Sequence, residues 1–348
     1  MSNKLQPVRG THDLLPQECR QHRYIADTAR NTAGLYGFEE IVTPIFEFTD
    51  VFKRTLGDTS DVVSKETYTF CDRGGEEITL RPEFTAGIAR AFISHGLKDQ
   101  TPLKYFYHGP AFRYERPQKG RQRQFHQIGV EMLGVPEAAG DVELIALAAQ
   151  TLAALGLKDH VKLELNTLGD AESRKAYRAA LVEYFSDHKS KLSEDSQRRL
   201  ELNPLRILDS KDEGDKAINE GAPQNSEYFT PQAAEFFAQT QEGLENIGIS
   251  FYLNPRLVRG LDYYCHTVFE FTTDALGAQN TVLAGGRYDS LVSIMGGPDT
   301  PGTGWAAGVE RLAALLEYEP PANRPVAMIP IGEAAEAKSD RHELFKRV

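Results

Sequence analysis

The sequence predicts an α+β fold: a sheet flanked by helices and interrupted by a helical insertion. Three observations predict it. Between Ala111 and Leu133, two segments with strand-like alternation flank a loop centred on Pro117 to Gln122, the pattern of an antiparallel pair with a long connection. From Gly169 to about Gly248 the chain turns highly charged and helical in pattern, with strand-like sequence on both sides. Beyond it, glycine-punctuated strand patterns lead into a strand-to-helix transition at GTGWAAGVERLAALLEY.

Taken in order, LQPVRGTHDLL is an extended lead-in, and Pro16 suits the first turn of a helix. Ile25, Ala29 and Ala33 recur at i+4 spacing, and Gly37 closes that helix after Tyr36. GFEEIVTPIFEF is a strand whose pairing Pro44 should end or bulge. Tyr68 to Cys71 and Glu77 to Leu80 flank a turn at Arg73, Gly74 and Gly75, a hairpin. Pro82 can start a helix with Ile88, Ala91 and Phe92, placing Glu83 and Thr85 in its first turn. Glu83 there is either a favourable dipole partner or a carboxylate placed to grip an ammonium group. Asp141 can cap a helix containing Leu144, Leu147, Thr151, Leu152 and Leu155. Arg311 falls in the last helix, with Leu312, Leu315 and Leu316 on its buried stripe, and Pro320, Pro321 and Pro325 read as a linker. VAMIPI can form one more strand and the residues after it a helix.

The Ala111 to Leu133 stretch organises the rest. Period two puts Phe125, Gln127, Gly129 and Glu131 on one strand face and His126, Ile128, Val130 and Met132 on the other. The second face is mostly apolar and should pack on the core. The first offers an amide, a gap and a carboxylate. On the partner segment Arg113 and Glu115 share a face, with Phe112 and Tyr114 opposite. Arg113, Arg116, Lys119, Arg121 and Arg123 crowd one loop of a chain whose formal charge is -11. That is either a solvated hairpin tip or a local anion site, with phosphate the anion such a cluster favours.

The 348 residues suffice for two domains or one large domain with an insertion, and 41% hydrophobic residues supply a sizeable core. The acidic balance argues against broad nonspecific nucleic-acid binding but is compatible with a local basic surface that meets RNA. Cys19, Cys71 and Cys265 lie far apart with no CxxC spacing, so no zinc or disulfide signature is present and a reduced, cytoplasmic setting is the simplest inference. MSNKLQPVRG has no apolar stretch of a signal peptide, and no apolar run approaches membrane-spanning length. There is no phosphate-binding glycine loop in a strand-helix context, no Ser-His-Asp pattern and no sequence cluster with metal-ligand spacing. A bound phosphate would have to be held by arginines and strand surfaces.

In order along the chain, these segments resemble the class II aminoacyl-tRNA synthetases and, within them, the histidyl-tRNA synthetase family. VRGTHDLLP resembles that family's opening signature, and GFEEIVTPIFEF with VFKRTLG its motif 1, which builds a dimer interface. FRYERPQKGRQRQFHQIGVE resembles motif 2, GWAAGVERL motif 3, and RGLDYYCHTVFEF and AGGRYDSLV the two histidine motifs. The resemblance runs from residue 5 to about residue 318. It implies a class II catalytic fold, with an antiparallel six-stranded sheet flanked by helices, in a homodimer. It implies ATP as substrate with Mg2+ accompanying it, no metal ligated by the protein, and L-histidine and tRNA-His as the other partners. Residues 1–168 and 249–320 would form the two parts of the catalytic domain, 169–248 a helical insertion domain, and 321–348 a linker and the truncated start of an anticodon-binding domain. On that reading the chain is competent mainly for the activation step and charges tRNA weakly.

Roles follow residue by residue. Arg113 matches the arginine that holds the α-phosphate and the amino-acid carboxylate, and Arg259 the histidine-motif arginine that does the work of a metal elsewhere; both are expected to be catalytic. Arg121 and Glu115 match ATP contacts of the motif 2 loop, and Arg311 the γ-phosphate arginine. Glu83, Thr85 and Gln127 match positions that receive the ammonium of histidine. Glu131 and Tyr264 match those that meet its imidazole, with Tyr263 and Tyr288 lining the pocket. Gly285 and Gly286 either let backbone approach the ligand or make an ordinary strand turn. Phe84 departs from the family pattern. The alternative is a non-catalytic, histidine-sensing paralogue such as the regulatory subunit of ATP phosphoribosyltransferase, which has no need of Arg259, Arg113 and Arg311 together; another class II ligase is opposed by Glu131 with Tyr263 and Tyr264.

Overall fold

The structure, a computed structural model, describes residues 4–56, 66–117, 121–259, 263–276 and 280–322. The elements in chain order are α1 (Pro16–Leu35), β1 (Glu39–Glu40), β2 (Phe46–Phe48), α2 (Thr49–Leu56), β3 (Tyr68–Cys71), β4 (Glu77–Leu80), α3 (Thr85–Ser94), β5 (Leu103–Phe112), β6 (Gln124–Leu133), α4 (Ala138–Ala154) and β7 (Lys162–Thr167). There follow α5 (Ala171–Asp187), α6 (Glu194–Leu202), α7 (Glu213–Asn219), α8 (Pro231–Asn246), β8 (Tyr252–Leu253), β9 (Cys265–Thr272), β10 (Thr281–Arg287), α9 (Leu291–Ile294), β11 (Gly302–Gly308) and α10 (Val309–Ala313). Lys119 and the VAMIPI strand with its following helix lie outside the described residues, as do parts of the VFKRTLG and RGLDYY segments.

One sheet dominates, in the order β1-β5-β6-β11-β10-β9-β7-β8. Its six central strands are antiparallel throughout, and the two-residue edge strands β1 and β8 pair parallel with β5 and β7. The sheet is α+β in character, with helices on its faces rather than alternating through it. A separate three-stranded sheet has the order β2-β4-β3.

Period two sorts β6 as the sequence indicated. Ile128, Val130 and Met132 are buried in the main core with Phe106 of β5, under Ile25, Ala29 and Ala33 of α1 and Leu144, Ile145, Ala148 and Leu152 of α4. Removing this apolar surface from water stabilises the sheet by about 25 cal/mol per Å2. The opposite face carries Gln127 and Glu131. Between β7 and β8 run α5 to α8. Tyr177, Leu181 and Phe185 of α5 form a cluster with Leu192, Leu200 and Ile207, while Leu244 of α8 joins the main core. Among the described residues no helix is long and apolar enough to cross a membrane.

Three local expectations are corrected. Helix α3 begins at Thr85, not at Pro82, so Glu83 precedes the helix and accepts hydrogen bonds from the backbone N–H groups of Thr85 (2.6 Å) and Ala86 (2.9 Å). Helix α4 begins at Ala138, and Asp141 is no cap: it is fully buried and ion-paired to Arg287 at 2.9 Å. Strand β5 stops at Phe112, so Arg113 and Glu115 sit beyond its end rather than on a strand face.

Candidate active site

The face of the sheet opposite the α1/α4 layer holds a cavity of about 270 Å3. All twelve residues singled out from the sequence line it: Glu83, Thr85, Arg113, Glu115, Arg121, Gln127, Glu131, Arg259, Tyr263, Tyr264, Tyr288 and Arg311. They come from six places in the chain. Arg113 leaves the end of β5, with Glu115 and Arg121 at the tip of the hairpin; Gln127 and Glu131 stand on β6, and Arg311 on α10. Tyr263 and Tyr264 precede β9, and Tyr288 follows β10.

At one end the cavity is acidic and aromatic. Glu131 is 2% exposed; its carboxyl accepts from the Thr85 hydroxyl at 2.7 Å and from the Tyr288 phenol. Burial pushes Glu131 up to about 8, against the pull of these donors and with a further push from Glu83. Burial also raises Glu83, against the two backbone N–H groups that cap it and against Arg113. Tyr263 and Tyr288 meet edge to face, with ring centres 5.7 Å apart. The amide oxygen of Gln127 is buried without a hydrogen-bond partner, an uncommon condition for a polar atom and one that a ligand donor would relieve.

Strand β11 explains how Glu131 fits. Gly304 is directly opposite it in the ladder, and a Cβ there would lie 1.8 Å from Glu131 Oε2 and 2.6 Å from the Val130 carbonyl. The strand must be bare at that point. Gly285 has a similar packing role: a Cβ there would strike the Gly304 carbonyl at 2.3 Å and Trp305 Cβ at 2.6 Å. Neither Gly285 nor Gly286 is among the residues that line the cavity. Phe84 supports the floor from behind, stacked on Tyr107 at 4.3 Å with the Arg81 guanidinium 3.8 Å above its ring.

At the other end the cavity is cationic. Burial depresses Arg113, with Glu66 and Glu83 opposing and Arg259 adding to the depression. Burial depresses Arg311 too, and Arg121 and Arg113 push it further. Guanidiniums this close repel one another and are stabilised together by an anion with several oxygens. Each has a support. Arg113 Nε donates to the Pro82 carbonyl at 3.0 Å, Arg311 to the Thr281 carbonyl at 2.6 Å, Arg121 pairs with Glu115, and Arg259 pairs with Glu270. For Arg259, burial works downward, and Glu270 with the neighbouring tyrosines more than offsets it.

Residues missed from the sequence are Glu270, Thr281, Tyr107, Gln122, Glu310 and the backbone of β10 and β11. Glu270 sits between Phe269 and Phe271 on β9, and alternation alone would have turned it to the polar face.

A family model described as histidyl-tRNA synthetase matches residues 10–312. The histidine–tRNA ligase of Rhodospirillum rubrum is 61% identical over 336 residues, which are 96% of this chain and 81% of the relative. That of Gluconacetobacter diazotrophicus is 58% identical over 333 residues, 96% of this chain and 80% of the relative. Among solved structures, the apo histidyl-tRNA synthetase of S. aureus superposes with a TM-score of 0.74 at 37% identity, over 90% of this chain and 74% of that one. A Bacillus halodurans protein titled ATP phosphoribosyltransferase regulatory subunit/histidyl-tRNA synthetase gives 0.67 at 27% identity, over 91% of this chain and 85% of that one. On the family match and the high-identity relatives together, the chain belongs to the histidyl-tRNA synthetase family.

Proposed function

We propose that the chain is an ATP-dependent histidine–tRNA ligase that makes histidyl-adenylate and passes the histidyl group to tRNA-His. The observation that carries this is the meeting of Arg113 and Arg259, from distant parts of the chain, in one cavity with Glu131. A carboxylate of L-histidine attacks the α-phosphorus of ATP in line, and pyrophosphate leaves. Negative charge gathers on the α-phosphate oxygens in that transition state, and the two guanidiniums are fixed donors for it. No general base is required, because the nucleophile is already ionised. Arg311 and Arg121 serve the outgoing phosphates. In the second step the terminal adenosine hydroxyl of tRNA-His attacks the acyl carbon of the adenylate, and AMP leaves.

Glu83, Thr85 and the unpaired oxygen of Gln127 receive the ammonium group. Glu131 accepts an imidazole N–H and Tyr264 meets the other nitrogen, within walls formed by Tyr263 and Tyr288. An acceptor buried this deeply excludes side chains that bring no donor. Mg2+ would arrive with the nucleotide; Glu115 and Glu270, which line the cavity and are ion-paired to Arg121 and Arg259, would be the carboxylates to hold it, and it would supply charge neutralisation on the phosphates.

Two copies pair through the three-stranded sheet. Phe46, Phe48 and Phe70 share one face of it and are 54%, 56% and 48% exposed, while Thr79 on the other face is buried. An outward aromatic face of this kind is a protein-docking surface, and a second copy is the partner that fits it. Residues 169–248 act as an insertion domain between the two parts of the catalytic domain, with residues 321–348 leading onward. The setting is the cytoplasm, where tRNA and ATP are available.

The test is ATP–pyrophosphate exchange measured with every standard amino acid in turn, using Arg259→Ala as control. Exchange with histidine alone supports the reading. Histidine binding without exchange would instead identify the sensing paralogue.

A further inference from the structure

The core layer between α1 and the sheet ends in imidazoles. His22 continues the buried stripe of α1 that holds Ile25, Ala26 and Ala29. His108 and His126 continue the apolar faces of β5 and β6. Glu310 reaches the same point from the first turn of α10. We propose that His22, His126 and Glu310 form a binding site for a divalent transition-metal ion of the zinc type.

One ligand atom from each of the three residues lies within 4.8 Å of the other two. The His126 Nδ1 is 2.9 Å from Glu310 Oε1, and the His126 backbone N–H donates to both carboxylate oxygens, at 2.9 and 3.0 Å. A simple ion pair would account for those contacts. It does not account for His22, which is 8% exposed, meets His126 edge-on with ring centres 5.3 Å apart, and has an Nδ1 with no hydrogen-bond partner. Buried polar atoms are rarely left so. A cation drawing on His22, His126 and Glu310 satisfies all three at once.

The chemistry fits the ion. Two imidazoles and one carboxylate on separate elements are a zinc-type donor set. Donors about 2.0–2.1 Å from a tetrahedral ion stand roughly 3.3 Å apart, so the cluster closes on one with a small shift of the His22 ring. His108 stacks 6.3 Å from His126 and has an unpartnered Nε2, a further ring beside the three ligands.

The ion takes no part in the reaction. His126 lies between Phe125 and Gln127, which line the cavity, and Glu310 precedes Arg311. Glu310 lines that cavity as well, so the site fastens β6 and α10 to α1 at the cavity's edge, and its residues are positioning groups.

The probe is Co2+, titrated into the untagged full chain after chelation and followed by visible absorption. One equivalent should bind with the intense bands of a tetrahedral site and be displaced by one equivalent of Zn2+. His22→Gln should weaken binding about 10- to 100-fold or more, whereas His95→Gln, at an exposed site, should leave it unchanged. Absence of binding by the unaltered chain, or binding indifferent to His22→Gln, overturns the proposal. X-ray absorption of the zinc-loaded unaltered chain needs no variant. It should count two imidazoles in the first coordination shell, and a shell of oxygens alone overturns the site.

Discussion

The guanidinium of Arg259 is ion-paired to the carboxylate of Glu270, eleven residues on, and the two side chains are only 19% and 15% exposed. Glu270 also accepts from the Thr281 hydroxyl at 2.7 Å, so the carboxylate is itself held from β10. A long, flexible cation is thereby fixed before any substrate arrives, which is the condition for electrostatic catalysis without reorganisation.

Arg259→Ala should accordingly lower histidine-dependent pyrophosphate exchange by about 10²- to 10³-fold in kcat, the usual effect of deleting one fixed donor. Glu270→Gln keeps the shape and removes the charge. It should cost less, about tenfold, because the guanidinium remains but wanders. Steady-state exchange kinetics of both variants check the order; an Arg259→Ala enzyme as active as its parent would refute the role.

Glu131 predicts a pH dependence. Its folded-state value of about 8 stands above the ordinary 4.5, so the folded chain keeps a proton that the unfolded chain gives up. The stabilisation this represents is complete below about 4.5 and is gone once pH rises past about 8. Glu131→Gln cannot ionise. Urea melts of the substrate-free protein should therefore show the variant gaining on the parent as pH is raised from 5 to 9. The same variant should lose about 10- to 100-fold in kcat/KM for histidine, in line with the roughly 1–3 kcal/mol that a buried polar group left without its partner costs.

Gly304→Ala puts a methyl group where Glu131 Oε2 stands. Overpacking of this kind costs about 1–3 kcal/mol, and the carboxyl must leave its place for the strand to survive. Calorimetry should find histidine binding lost and the melting point lowered, whereas ATP binding, which uses the other end of the cavity, should persist.

Phe48→Glu tests the paired assembly. A charge on the outward aromatic face should shift sedimentation equilibrium towards monomer at concentrations where the parent is dimeric. An unchanged association would place the contact elsewhere.

How far the sequence disclosed all this depends on the range of the interaction concerned. Alternation in β6 separated Gln127 and Glu131 from Ile128 and Val130 correctly, because strand geometry is local. The Tyr68–Cys71 and Glu77–Leu80 hairpin was visible for the same reason. Arg113, Arg259 and Arg311 have no shared spacing, and only the resemblance of whole motifs picked them out. Asp141 looked like a helix cap because acidic residues before apolar runs usually are; its partner Arg287 is 146 residues away, beyond any local rule. His22 was hidden in an apolar helical stripe, and nothing in its neighbourhood announces His126 or Glu310. The need for bareness at Gly304 is set by a carboxylate on the adjoining strand.

Arg81 has a wider consequence. Its guanidinium donates to the carbonyls of Pro110 (2.8 Å) and Thr43 (2.9 Å), joining the end of β5 to the segment that enters β2. Glu83 follows two residues later on the same rigid run out of β4. A displacement of the small outer sheet would therefore reach the proposed amino-acid cradle. In the dimer proposed above, paired through that sheet, each subunit's grip on its substrate would become mechanically audible to its neighbour.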